Sequence, residues 1–197
     1  MSKGRRWLYL FVGINLVALS VNLFLSSELG SNPLTVLQQG MHIALNITVG
    51  QASILYNVIV LAIAAIFAKK ALGLGTVIYL ILVGILIDGY ALIFSNILPQ
   101  APSMTIRVPA LVFGQILMSG GFAVLIHAGL GTHGLDAILV AFEKKVSYKV
   151  SRTITDILFV VLGAVMGGVI GIGTLFAMLT SGILVDAIRR IFIKRSD

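Results

Sequence analysis

Long apolar stretches, broken by short polar or glycine-rich intervals, make up nearly the whole of this chain. Six of them run from Trp7 to Ser27, Gln51 to Ala68, Leu72 to Phe94, Val108 to Leu130, Thr153 to Ile170 and Ile172 to Ile188. A helix needs roughly 20 apolar residues to cross about 30 Å of hydrocarbon, so each is read as a transmembrane span. Ile157 to Val185 is free of charge and reads as two spans only because Gly167-Gly168, Gly171 and Gly173 interrupt it. A different pattern fills Leu34 to Asn46. Thr35, Gln38, Gln39, His42 and Asn46 recur at three- and four-residue spacing and leave Leu34, Leu37, Met41 and Leu45 for another side, which predicts a short amphipathic helix. Asn32 suits its N-cap and Pro33 its first turn. This segment and its counterpart, Leu135 to Lys145, are too short to span.

The pattern occurs twice. Gly73-Leu74-Gly75-Thr76 recurs as Gly171-Ile172-Gly173-Thr174, and at the same offset of 98 (171 minus 73) Gly84 meets Gly182, Asp88 meets Asp186 and Phe94 meets Phe192. Upstream the offset becomes 101 (131 minus 30), laying Gly30-Ser31-Asn32-Pro33-Leu34 over Gly131-Thr132-His133-Gly134-Leu135 and Gly13 over Gly114. The expected organisation is a single membrane domain, 1–197, with repeat one at 7–94, an inter-repeat loop at 95–107 and repeat two at 108–192. Each repeat contributes three spans, an odd number, so the second copy must enter the membrane inverted. The expected fold is an all-α membrane protein of six transmembrane helices in two inverted three-helix repeats, each with a short amphipathic or re-entrant helix after its first span.

Composition agrees with this class: 58% of residues are hydrophobic and 11% charged, against about a quarter charged in soluble domains. The net charge of +7 is informative through its placement. With the N-terminus inside, Arg107 alone among the 14 Lys and Arg falls outside, the distribution expected of a chain with both termini in the cytoplasm. The basic residues therefore orient the chain on anionic headgroups, and no nucleic-acid partner is expected. Cysteine is absent, which removes disulfides, thiolate metal sites and cysteine nucleophiles. Trp7 to Ser27 is too long for the apolar core of a cleaved signal peptide.

The Leu29-Gly30-Ser31-Asn32-Pro33 turn, the Gly73-Leu74-Gly75-Thr76 start of a span ending in Gly84 and Asp88, the 129–136 loop Gly-Leu-Gly-Thr-His-Gly-Leu-Asp, the Arg152-Thr153-Ile154-Thr155-Asp156 opening and the glycine run from Gly167 to Thr174 together resemble the YczE/YyaS/YitT-like bacterial membrane proteins. The chain departs from that pattern at Thr132-His133, where a small pair is common, and at Asp156, where Glu is common. The resemblance implies a multi-pass protein of the bacterial cytoplasmic (inner) membrane with a transport role, and supplies no substrate.

Candidate chemistry rests on the few polar groups at membrane depth, which are costly to place there. Arg152 and Asp156 stand one helical turn apart, as a self-neutralising pair or as a coupling site whose carboxylate exchanges its partner. Asn57 is the first-repeat counterpart of Asp156 at an offset of 99 or of Thr155 at 98. Asp186 has Arg189 and Arg190 within a turn and reads as an interfacial ion pair. Asp88 has no such neighbour, making it the better candidate for a buried, titrating carboxylate. Asn32 and His133 occupy equivalent glycine turns before the short helices, settings that favour anions, with Asp136 one turn beyond His133. Asn22, with Asn15 on the same face, reads as interhelical glue or as a cavity wall.

These residues predict a secondary transporter of a small polar or amphipathic solute, working by alternating access between inverted repeats. No enzyme activity, cofactor or metal site is expected, although a proton or another ion is a natural coupling species. No phosphate-binding Gly-x-x-x-x-Gly-Lys-Ser/Thr motif occurs. The partners are the solute and the bilayer, and a homo-oligomer is compatible with the chain. The alternative is a membrane scaffold or regulatory partner of another protein, docking through the charged segment 143–152.

Overall fold

The computed structural model describes residues 2–69, 72–97, 102–131, 134–141 and 147–194. All regular structure among them is helical: α1 (Lys3–Ser27), α2 (Pro33–Leu45), α3 (Val49–Phe67), α4 (Leu74–Ile97), α5 (Met104–Ala128), α6 (Gly134–Ala141), α7 (Tyr148–Val165) and α8 (Ile172–Lys194). Of these, α1, α3, α4 and α5 are long and apolar enough to cross a membrane on their own, and α8 is apolar over the shorter stretch Ile172–Ile188. α7 carries Lys149, Arg152 and Asp156 in its first half. The chain is a helical membrane protein.

Local chemistry starts and stops these helices. Asn32 caps α2 by accepting the Thr35 amide at 3.0 Å, and Pro33 follows in the first turn, where a missing N–H leaves no bond unmade. Thr48 and Gln51 form a reciprocal capping box on α3, each accepting the other's backbone N–H at 3.0 Å. α7 stops at Val165, five residues short of the expected end at Ile170. There the Gly168 amide turns back to Gly163 O at 2.7 Å while Gly167 takes φ +96°, a conformation open to glycine.

α1 and α5 pack side by side and antiparallel: Gly13 lies against Gly121 and Leu125, while Gly114 lies against Ser20 and Leu23. The seam buries Ile14, Val17, Ala18, Val21 and Phe24 with Leu111 and Met118, and Tyr79, Val83 and Ile87 of α4 complete this core. A second core joins Leu37 and Met41 of α2 to Tyr56 and Val60 of α3, Leu139 of α6 and Phe159 of α7. Small residues permit α2 to reach α7, since a Cβ on Gly163 would stand 2.6 Å from the Val36 carbonyl carbon. In lipid such close backbone approach is a main source of helix association.

One contact is made twice with the two halves exchanged. The Gly173 amide donates to Leu29 O at 2.8 Å, and the Gly75 amide donates to Leu130 O at 3.0 Å. In the first, Gly30 (φ +94°) lies so close that a Cβ would stand 2.6 Å from the Gly171 nitrogen; in the second, Gly131 (φ +131°) would stand 2.9 Å from the Gly73 nitrogen. The turn after α1 thus clasps the start of α8, and the turn after α5 clasps the start of α4. Packing follows the same exchange, α1 on α4 and α5 on α8, α2 on α7 and α6 on α3. The exchange fails at α3 and α4. They meet closely through Gly50 and Gly84, whereas Gly182, Gly84's counterpart on α8, has open space where a side chain would be.

Candidate functional site

The most polar interior region lies at the N-terminal end of α2, where the helix enters the bundle. Asn32, Thr35, Gln38, Ser53 and Asn57 are all buried there, none more than 8% exposed. Gln38 donates its Nε2–H to Ser53 Oγ at 3.1 Å, and Asn57 donates to the Ser53 carbonyl at 2.9 Å. The first bond ties α2 to α3, and the second lies within α3. Beside them lies a cavity of about 20 Å³, bounded by Asn32, Thr35, Gln38 and Ser53 on one side and by Val17, Val21, Tyr79, Val83, Ile87, Met118 and Phe122 on the other. That volume suits one water molecule. The wall residues on α1, α4 and α5 sit near the midpoints of those helices, so the cavity is at mid-depth of the bundle. Asn32 Nδ2 and Thr35 Oγ1 are fully enclosed and have no hydrogen-bond partner. Buried polar atoms nearly always find one, so two orphans on one cavity mark a place where something polar belongs.

The amphipathic pattern of α2 predicted a helix correctly, and its polar stripe divides in space. Thr35 and Gln38 turn into the bundle, whereas His42 and Asn46 are exposed at the other end. Gln39, half-buried, accepts the Val169 amide at 2.9 Å. Asn32 has both a structural and an open role, its Oδ1 spent on the cap and its Nδ2 unpaired.

Asp88 proves to be partnered. It accepts from Thr48 Oγ1 at 2.6 Å and from the Gly50 amide at 2.9 Å, so it closes the N-terminus of α3, where the helix dipole favours negative charge. Its hydrogen-bond partners are neutral groups 40 and 38 residues away, at the N-cap and first turn of α3, which adjacency in sequence does not show. Asn22 is fully committed as glue: it donates to Ala18 O at 3.1 Å and across to Ile87 O at 3.0 Å. Asn15 likewise donates to Phe11 O and accepts from Tyr90 OH at 2.8 Å.

Arg152 and Asp156 form the expected pair along α7, with Nε 3.2 Å from Oδ1, and side chains 37% and 20% exposed. α7 is one residue shorter than α3: their N-caps, Thr48 and Ser147, stand 99 apart (147 minus 48), and their last residues, Phe67 and Val165, stand 98 apart (165 minus 67). Asn57 thus falls opposite Asp156 counted from the starts and opposite Thr155 counted from the ends. His133 lies outside the described residues, as does Thr132; Asp136 sits in the first turn of α6, its side chain outside what is described. The segment 143–152 is described only from Ser147 onward.

Gln115 went unnoticed in the pattern of α5. It is completely buried and donates to Thr180 Oγ1 at 3.1 Å and Ser181 Oγ at 3.0 Å on α8. Its signal was present, since Gln115 interrupts an apolar run at the position where the first copy has Ile14. Among the described residues no three His, Asp or Glu side chains converge as a metal ion would require.

The chain is similar to the uncharacterized membrane protein YczE of Bacillus subtilis, with 26% identity over 91% of this chain and 83% of that one. It is similar also to the uncharacterized protein YyaS of the same organism, at 28% identity over 91% of this chain and 90% of the other. An uncharacterized protein of Haemophilus influenzae is 30% identical over 90% of this chain and 83% of its own length. No solved structure matches. The model of a family of unknown function (DUF6198) matches residues 4–190. With that match over nearly its whole length, and YczE and YyaS among its relatives, the chain belongs to this YczE-like family of membrane proteins.

Proposed function

We propose that the protein is a secondary transporter of a small polar or amphipathic solute, with six spans arranged as two inverted repeats and an alternating-access site between them. The observation that supports this reading best is the pair of exchanged clasps, Leu29 with Gly173 and Leu130 with Gly75. A contact repeated with its halves swapped is what a two-fold relation between copies produces. With three spans per copy that axis lies in the membrane plane, and one clasp then faces each side. α2 enters the bundle as a half-helix whose N-terminal end lies near the midpoints of its neighbours, the usual place for a carrier's site. Both termini and the segment 131–152 are assigned to the cytoplasm from the distribution of Lys and Arg, in the bacterial inner membrane. Neither a cofactor nor enzymatic chemistry enters the scheme.

Coupling is assigned to Asp156, with Arg152 as its partner. A permanently paired ion would hold one state, so the carboxylate must exchange its partner, for a proton or another cation, as the clasps alternate. In proteoliposomes loaded with a panel of small metabolites, an imposed proton gradient is expected to drive accumulation by the natural chain. Asp156→Asn is expected to abolish accumulation while leaving solute exchange and folding intact. If both Asp156→Asn and Arg152→Ala lower only thermal stability and leave the rate per molecule unchanged, the pair is structural and the coupling assignment falls. Absence of flux for the whole panel, together with a stoichiometric protein partner on purification, would favour the scaffold instead.

A further inference from the structure

We infer that the chamber at the N-terminal end of α2 is a binding site for an uncharged solute that presents a hydroxyl or carboxamide group to Asn32 and Thr35 and an apolar body to the opposite wall. This deepens the transporter reading and rests on it. The polar side offers Asn32 Nδ2, a donor, and Thr35 Oγ1, which both donates and accepts, each enclosed and without a partner. Asn32 is 8% exposed and Thr35 1%, so solvent does not serve them. Two adjacent groups of that kind match one ligand atom or pair that accepts from Asn32 and exchanges a hydrogen bond with Thr35.

Charge is excluded by what surrounds them. Among the described residues no Asp, Glu, Lys, Arg or His bounds the chamber, and an ion without a counter-charge is expensive to bury. The helix N-terminus would ordinarily invite an anion. Here most of its donors are already used: Pro33 has none, the Thr35 amide goes to Asn32 Oδ1 and the Val36 amide to the Asn32 carbonyl, which leaves the Leu34 amide, a single neutral donor and no counter-charge. Asp88, the nearest carboxylate in sequence to the Ile87 wall, is turned to Thr48 and Gly50. The apolar wall of Val83, Met118 and Phe122 then favours a carbon skeleton over a fully hydrated one. The chamber, at about 20 Å³, has room for about one water, so binding requires the wall to give way, as alternating access demands.

The chain lacks cysteine, so a single Val83→Cys substitution, close to isosteric, supplies a reporter in the wall. The protein in nanodiscs is treated with methyl methanethiosulfonate in the presence of acetamide, acetate or ethylammonium, three probes of similar size and different charge. Acetamide is expected to slow modification with millimolar half-protection, in keeping with about four non-hydrogen atoms, and the two ions to leave it unchanged. Thr35→Val, which keeps shape and removes the hydroxyl, is expected to weaken protection about tenfold. Gln38→Met is expected to do so less, because Gln38 already has Ser53. Protection by acetate or ethylammonium equal to that by acetamide would overturn the assignment, as would a Cys that no reagent reaches. Protection without any proteoliposome flux would leave the site standing and remove the transporter reading; flux without protection would do the reverse.

Discussion

Asp88 shows how a single side chain changes meaning with its surroundings. By sequence it is a lone carboxylate in an apolar span, and in the structure it binds Thr48 and Gly50 at the start of α3. Charge-assisted bonds at a helix N-terminus contribute about 1–3 kcal/mol. Asp88→Ala should therefore lower stability by roughly that amount, read as a fall in Tm in detergent, while Asp88→Asn, which still accepts the Gly50 amide, should retain about half of the effect. An unchanged Tm for Asp88→Ala would show that the cap contributes nothing. The same two-sidedness holds at Asn32, whose capping role was legible from Pro33 beside it and whose open Nδ2 was not. A cap is set by three consecutive residues, whereas an orphaned donor is defined by what four other helices fail to supply.

At the scale of elements, glycine positions separate contacts that matter from those that do not. Gly163 leaves no room toward Val36 on α2, whereas nothing stands within 4 Å of a Cβ on Gly182. Gly163→Leu should push α2 off α7 at a cost of about 1–3 kcal/mol or more, detected as faster hydrogen exchange across Thr35 to Met41. Gly182→Ala should leave both stability and exchange within about 0.5 kcal/mol of the natural chain. Equal effects at the two glycines would contradict the packing described. Helix existence was readable because periodicity and caps are local. Helix ends were less so: α7 was expected to reach Ile170 and stops at Val165, because Gly163 accepts the Gly168 amide and turns the chain early.

For the whole molecule, the arrangement to be tested is orientation. The Lys and Arg distribution puts the N-terminus inside and the region of α2 outside. The exposed C-terminal end of α2 offers a reporter position on that side. Ser2→Cys and Ala44→Cys, both at exposed positions, should label with a membrane-impermeant maleimide from opposite faces of intact cells and inverted vesicles. Labelling from one face would overturn the proposed topology and, with it, the assignment of one clasp to each side.

Read alone, the sequence determined the class, the family, the helical segments and the correspondence of Gly30 with Gly131 and Gly73 with Gly171, because hydrophobicity, periodicity and turn glycines are properties of short windows. Offsets of 98 and 99 both lay α3 over α7, because α7 is one residue shorter and its start and end stand 99 and 98 residues from those of α3. Tertiary structure decided which polar groups are spent: Asn22 and Asp88 bond across to other elements, Gln115 donates to α8 but keeps an unpartnered Oε1, and Asn32 and Thr35 face an enclosed space with atoms left over. Satisfaction of a buried polar atom depends on partners many residues away, and only the folded chain brings those partners within 3 Å or so.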